Sequence, residues 1–347
     1  MESQKLLQRA AVLVREDGGY RLDVQQTPIP EIKPWEILVS LSVSGVCGTD
    51  ASLAAGHLGP CCDILGHEGV GRIEKIGPGV DPSVAKIGDR VGVGWIQDVC
   101  GQCSRCSVPG GETRCAEELQ SGRKRNGTFA EYCSMPARYV MVIPEDVTIA
   151  DELVAPILCA GVTAYKALKI CEATPGEWVA ILGAGGSVGA LGIQYAKAMG
   201  YRALAIDVSP DMREQCLALG AEVFLNARDE LSSAVQKATG GSGAKAVIVT
   251  AGAKAAYEAA FRIVAPFGVI VCVGIPPPHE RISFHPLDFI SAGVKLVGSA
   301  TGTRADTIEA LRFVQRGAVT PKVQMISLDG LSDAIGKSGA KYVVRLK

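Results

Sequence analysis

The sequence predicts an α/β protein built from a doubly wound parallel sheet and a second, irregular β-barrel. Three observations carry this. An apolar run from Trp178 to Leu182 is broken by glycines at 183, 185, 186 and 189, and helical periodicity follows from Ala190 to Met199: strand, tight turn, helix. Further apolar runs at 203–206, 246–249, 269–273 and 295–298 alternate with helical stretches, the pattern of parallel strands joined by right-handed crossovers. The N-terminal part instead alternates apolar and polar positions between prolines and glycines.

In chain order, residues Arg9 to Val43, interrupted by Pro28, Pro30 and Pro34, read as short antiparallel strands joined by turns. Val43 to Cys62 reads as a loop. Gly66 to Val93 returns to glycine-punctuated β sequence, completing the barrel. From Val154 the texture changes to the strand and helix alternation. The expected division is therefore 1–155 with 295–347 for the barrel and 156–294 for the parallel sheet.

At 347 residues the chain is long enough for two cores. Hydrophobic content of 48% with 20% charged residues describes an ordered globular protein. A formal net charge of −1 gives no electrostatic case for nucleic acid or acidic membranes, and Arg123, Lys124 and Arg125 read as a solvated loop. The start, MESQKLLQRA, lacks a signal-peptide apolar core, and no window approaches membrane-span length. A cytoplasmic location is expected. In that reducing compartment the 12 cysteines are read as metal ligands before disulfides.

The glycine-rich turn 183–189 (Gly183, Ala184, Gly185, Gly186, Ser187, Val188, Gly189) lets a pyrophosphate approach the backbone N–H groups at a helix N-terminus, where partial positive charge sits. The next strand ends at Asp207. A carboxylate there accepts from a ribose 2′-OH and repels a 2′-phosphate, so NAD is preferred over NADP.

Cys100, Cys103, Cys106 and Cys115 form C-x2-C-x2-C-x8-C, four thiols close enough for a closed, structural tetrahedral zinc site. Cys47 and His67 are a weaker pair, equally readable as a buried thiol and a core histidine. Cys159 would complete two cysteines and one histidine, the ligand type of a catalytic zinc with an open position.

Taken together, VCGTD (46–50), GHEGVG (66–71), the four-cysteine loop, CAGVTAYKAL (159–168), GAGGSVG (183–189), LGAEVF (219–224) and GTRADTIEAL (302–311) make the chain resemble the zinc-dependent medium-chain alcohol dehydrogenases, most closely the yeast-type branch. The resemblance covers nearly the whole length. It implies a Rossmann cofactor domain and a GroES-like catalytic domain, with two zinc ions and NAD as cofactors. The implied catalytic zinc ligands are Cys47, His67 and Cys159, with Glu68 as an alternating or outer ligand. Asp50 would fix the His67 tautomer. Zinc would act as a Lewis acid on the oxygen of a small-molecule alcohol or aldehyde, and hydride would pass to or from NAD. Thr49 would start a proton relay. Val273, Gly274 and Ile275 would lie at the nicotinamide end, and Lys341 would reach the pyrophosphate where the branch has arginine. Arg304 would either hold the domain or touch cofactor. Oligomerisation is implied too, tetramer first and dimer second, with the Lys295 to Ser299 edge as a pairing strand.

Departures from the branch bear on the substrate. Gly48 replaces a cationic residue or histidine. Ser52 replaces the relay histidine and passes a proton only through water, with His57 nearby. Ala54 and Ala55 stand where the branch has a bulky aromatic, which with Trp95 as a wall suggests a pocket wider than an ethanol site. The cysteine loop carries x8 in place of x7, and the 328–341 tail is shorter. A carbonyl reductase or polyol dehydrogenase stays open, as does a catalytically silent zinc-containing binding protein. The intact Cys47, His67, Cys159 and Thr49 argue against the last.

Overall fold

A computed structural model describes residues 6–337 and 340–347. The chain divides into two compact units: one comprises the stretch ending at Cys159, Thr303–Gln315 and the stretch from Pro321 onward, the other Ala160–Gly302 with Arg316–Thr320. The return to the first unit thus comes at Thr303 and not at 295. The reason is the Lys295–Gly298 strand, which pairs in parallel with Val264–Cys272 and so completes the parallel sheet.

The second unit holds six parallel strands. Their spatial order is Val223–Asn226, Arg202–Asp207, Trp178–Leu182, Ala244–Val249, Val264–Cys272, Lys295–Gly298. The chain enters at Trp178–Leu182, winds outward to one side, then returns to build the other. Where that direction reverses, the strand ends leave a crevice, the place doubly wound sheets use for ligands. Every residue of Trp178–Leu182 is buried, as a strand covered on both faces requires. Its side chains pack with Leu204, Ile206, Val247, Val249 and Ile270, and with Leu231, Val235 and Tyr257 from covering helices. The Ser187–Ala198 helix turns Leu191, Ile193, Tyr195 and Ala196 inward and is followed by Gly200 at a positive φ, the usual stop.

The first unit opens with an antiparallel hairpin, Leu7–Glu16 with Gly19–Pro28, in continuous register from Leu7 opposite Pro28 to Glu16 opposite Gly19. A larger sheet follows the order Val323–Ser327, Lys341–Arg345, Glu36–Gly45, Gly69–Ile76, Arg90–Val93, Met141–Val142, with Tyr132–Pro136 also on Glu36–Gly45. Its inner face gathers Ile37, Val39, Leu41, Ile73, Val91, Val93, Phe129 and Met135 into one core.

Two expectations change here. The 43–62 stretch contains a helix, Gly48–Ala54, whose buried face is Asp50, Leu53 and Ala54. Glycines on either side disguised it as a loop, but Cys47 is extended as an N-cap and the spacing of the buried residues is helical. Leu53, fully buried in the barrel core, anchors it with about 1.5–3 kcal/mol of burial. Arg125 is also not a solvated charge: its guanidinium donates to Glu36 Oε1 at 2.7 Å, Ser134 O at 3.0 Å and Ser134 Oγ at 2.9 Å. Glu36 is buried, so the pair closes a polar group inside the sheet.

Among the described residues no helix is long and apolar enough to cross a membrane. The first five residues of the expected leader-free start, and 338–339 of the tail, lie outside the described residues.

Candidate active site and metal centres

Strand pairing assembles the first centre. Ser44 lies opposite Gly69 in the antiparallel pair, so Cys47, just past one strand, meets His67 and Glu68, just before the other. Val343 opposite Gly45 brings Lys341 to the same place, and Cys159 arrives after the Ala155–Leu158 turn. One ligand atom each from Cys47, His67, Glu68 and Cys159 lie within 4.8 Å of one another. The two thiol sulfurs are 3.8 Å apart, close to the edge of a tetrahedron with zinc–sulfur bonds of about 2.3 Å.

Asp50 ties the two halves together. Its buried carboxylate accepts from the Cys47 N–H at 3.0 Å, the Gly66 N–H at 3.2 Å and His67 Nδ1 at 2.9 Å. One side chain thus fixes the backbone before the helix, the backbone before His67 and the imidazole itself. With Nδ1 taken, Nε2 is the ring atom left to face the thiols, and it is buried with no hydrogen-bond partner. Glu68 Oε2 is orphaned in the same way. A buried imidazole nitrogen without a partner beside two thiols is what a metal would satisfy, and two sulfurs with one imidazole nitrogen are the donor set zinc takes at catalytic centres. The residues fit the ion.

The four groups also perturb one another's protonation. The hydrogen bond from Cys159 outweighs burial and, with His67, holds the Cys47 thiol well below its ordinary range, while Cys159 is pushed well above its own by the same partner and by burial. Burial opposes charge on His67, but Asp50 and Cys47 together raise the imidazole well above its ordinary value. Burial also pushes the Glu68 carboxyl up to about 7, against the pull of Lys341.

Lys341 is a correction. Expected at the pyrophosphate, it is buried and donates to Glu68 Oε1 at 2.6 Å and Val46 O at 2.9 Å. Burial works against its charge, but Glu68 and the thiols of Cys47 and Cys159 raise it above its ordinary value. Its strand begins inside the barrel, so the ammonium turns toward the carboxylate.

Thr49 and Ser52 stand three residues apart on the half-buried side of the Gly48–Ala54 helix, one above the other. His57 is exposed, and its N–H donates to Ser52 O at 2.9 Å. Trp95 stands edge-on to His67, ring centroids 5.3 Å apart, as a wall beside the ligands. The two alanines offered for a wider pocket differ in placement. Ala54 packs into the barrel core and Ala55 is an exposed helix end, because the helical phase turns position 54 inward.

The second centre is the four-cysteine loop. One sulfur each from Cys100, Cys103, Cys106 and Cys115 lie within 4.8 Å of one another, with Cys100 to Cys106 at 3.9 Å and Cys100 to Cys115 at 3.5 Å. Backbone hydrogen bonding from Cys106 brings the Cys103 thiol down to about 6, while burial pushes the Cys106 thiol up to about 12. Val99, Cys115 and Tyr139 form a small apolar cluster under the loop, and Tyr139 donates to Glu112 Oε1 at 2.9 Å. Arg304 stacks on Tyr139 at 4.3 Å and donates to Val140 O at 3.3 Å, a contact that holds this loop's base to the Arg304–Gln315 helix.

In the parallel-sheet unit, the turn after Trp178–Leu182 has the shape a pyrophosphate needs. Gly183 takes a φ of 84°, and a Cβ on Gly189 would overlap the Gly183 carbonyl oxygen. No side chain caps the Ser187–Ala198 helix, leaving its first N–H groups to an anion. Asp207 accepts from the Gly185 N–H at 2.8 Å and the Ser209 N–H at 3.0 Å, bracing the turn itself. Val273, Gly274 and Ile275 follow the Val264–Cys272 strand, and Tyr257 donates to Gly274 O at 2.5 Å.

Comparison with known proteins gives the following. Residues 33–145 match the family model described as an alcohol dehydrogenase GroES-like domain, and 187–316 match one described as a zinc-binding dehydrogenase. An alcohol dehydrogenase of Geobacillus stearothermophilus is 41% identical over 320 residues, covering 91% of this chain and 92% of that one. Among solved structures, the alcohol dehydrogenase of the hyperthermophilic archaeon Aeropyrum pernix superposes with a TM-score of 0.84 at 27% identity, covering 97% of this chain and 99% of that one. Acetophenone reductase from Geotrichum candidum in complex with NAD shares the fold, with a TM-score of 0.83 at 24% identity and coverage of 98% and 97%.

Proposed function

The chain belongs to the zinc-binding alcohol dehydrogenases with a GroES-like domain, oxidoreductases that act on alcohols, and from that premise we propose an NAD-dependent enzyme interconverting a small-molecule alcohol and its aldehyde or ketone. The observation that carries this is the convergence of Cys47, His67 and Cys159, with the imidazole set by Asp50 and its Nε2 unpartnered. Bound there, zinc supplies Lewis acidity toward the substrate oxygen, and NAD supplies the hydride acceptor. A second zinc in the four-cysteine loop is structural.

The side chains divide the remaining work. Asp50 holds the His67 ring. The Thr49 hydroxyl takes the proton of the substrate oxygen, and Ser52, one turn further along the helix, passes it outward through water, since a serine is no base near neutral pH. Trp95 limits the approach to the ligands. In the cofactor unit, the Ser187–Ala198 helix start binds the pyrophosphate and Asp207 faces the adenosine ribose. The exposed Lys295–Gly298 edge, where Leu296 is 41% exposed, pairs with a second copy; a tetramer is the first reading and a dimer the second. The chain is placed in the cytoplasm.

Initial rates with a panel of alcohols and aldehydes, each with NAD and NADP, test this reading. Asp207→Gly should shift the NAD to NADP ratio of kcat/KM toward NADP by about 10- to 100-fold, the worth of a hydrogen bond to a charged group at ~1.5–3 kcal/mol. It should also weaken both cofactors, because the brace on Gly185 goes with the carboxylate. An unchanged ratio would place Asp207 away from the ribose.

A further inference from the structure

Gly45 ends the Glu36–Gly45 strand, buried, with its N–H on the Glu68 carbonyl at 3.0 Å. A side chain cannot be added there freely. A Cβ built on Gly45 would overlap Glu68 Oε2 and lie 3.0 Å from the carboxylate carbon. Oε1 of the same carboxylate is held by the Lys341 ammonium at 2.6 Å, while Oε2 is buried with no hydrogen-bond partner. The carboxylate therefore rests in a seat with two walls: an ammonium on one oxygen and the bare Cα of a glycine beside the other. From that seat Glu68 is still within the 4.8 Å that groups it with Cys47, His67 and Cys159.

We propose that Gly45 is a positioning residue of the metal centre: its missing side chain is the space into which the Glu68 carboxylate withdraws, so that Cys47, His67 and Cys159 hold the ion with one position open for substrate. This rests on the zinc reading above. A glycine is not needed at 45 for backbone conformation, since its φ is not among the positive ones, so the space beside Oε2 is its distinguishing property. With alanine at 45, Oε2 must move. Its partner oxygen is held by Lys341, and the ligand atoms of Cys47, His67 and Cys159 lie within 4.8 Å of the carboxylate, so the displaced group is driven toward them. Glu68 then becomes a standing fourth ligand and closes the open position.

The test is zinc release from the full-length zinc-loaded protein to an excess of a coloured chelator, following the kinetic phase that disappears in Cys159→Ala. Gly45→Ala should slow that phase by about 10-fold or more, the scale on which neighbouring groups alter metal affinity. Adding Glu68→Asp, one methylene shorter, should return it toward the wild-type rate. A folded Gly45→Ala protein with wild-type release, or slowing that persists in Gly45→Ala with Glu68→Ala, overturns the proposal. If Gly45→Ala alone does not fold, recovery of folding by Glu68→Ala supports the clash, and failure to recover overturns it. Wild-type protein lacking any Cys159-dependent zinc would instead overturn the metal reading itself.

Discussion

Cys47→Ala is expected to lower alcohol turnover by roughly 10²- to 10³-fold while leaving NADH binding in place. On the proposed reading the thiolate is one of three ligands, and two remaining ligands would hold zinc weakly, so the loss corresponds to about 3–4 kcal/mol of stabilisation at the substrate oxygen. The fold should survive. Cys47 precedes the Gly48–Ala54 helix, which is held by Leu53 in the core and by the Asp50 carboxylate on the Cys47 backbone N–H, not on its sulfur. The glycine turn and Asp207 belong to the other unit and are untouched. Zinc content, turnover at saturating NAD, and NADH fluorescence titration check the three parts. Wild-type turnover in Cys47→Ala would remove Cys47 from the site.

Cys103→Ala should act on stability before activity. The loop around Cys100, Cys103, Cys106 and Cys115 has little core of its own beyond Val99, Cys115 and Tyr139, so on the proposed reading four thiolates around one ion would supply most of its order. Removing one is expected to cost about 3 kcal/mol, at the upper end of single substitutions, and to lower Tm by about 6–12 °C. Zinc should fall from two ions per chain to one, and proteolysis should begin between Val99 and Cys115. The eight-residue spacer before Cys115 leaves the four sulfurs within 4.8 Å, so the longer loop is compatible with the site. Wild-type protein containing one zinc would contradict this.

Local patterns in the sequence were legible. The strand, glycine turn and helix, the carboxylate ending the next strand and the clustered four cysteines each lie within a short stretch of chain, so spacing alone placed them. The features that were misread depend on contacts between distant segments or on helical phase. Lys341 and Glu68 are 273 residues apart, and a charge in a sequence does not say which neighbour strand register will give it. Ala54 looked like room in a pocket until the helix turned it into the core. Arg125 looked like part of a basic loop until the sheet placed Glu36 beneath it. A signal for Gly45 was present, since a glycine in a strand marks close approach by another group, but the group, Glu68, is identified only by the pairing of the strands.

Alcohol-dependent NADH formation by the full-length chain, measured with zinc present, after zinc is removed and after it is restored, bears most directly on zinc-dependent alcohol oxidation. Activity is expected to vanish with the zinc of the Cys47, His67 and Cys159 site and to return in proportion to the zinc regained. Undiminished activity in protein shown to hold no zinc would contradict it.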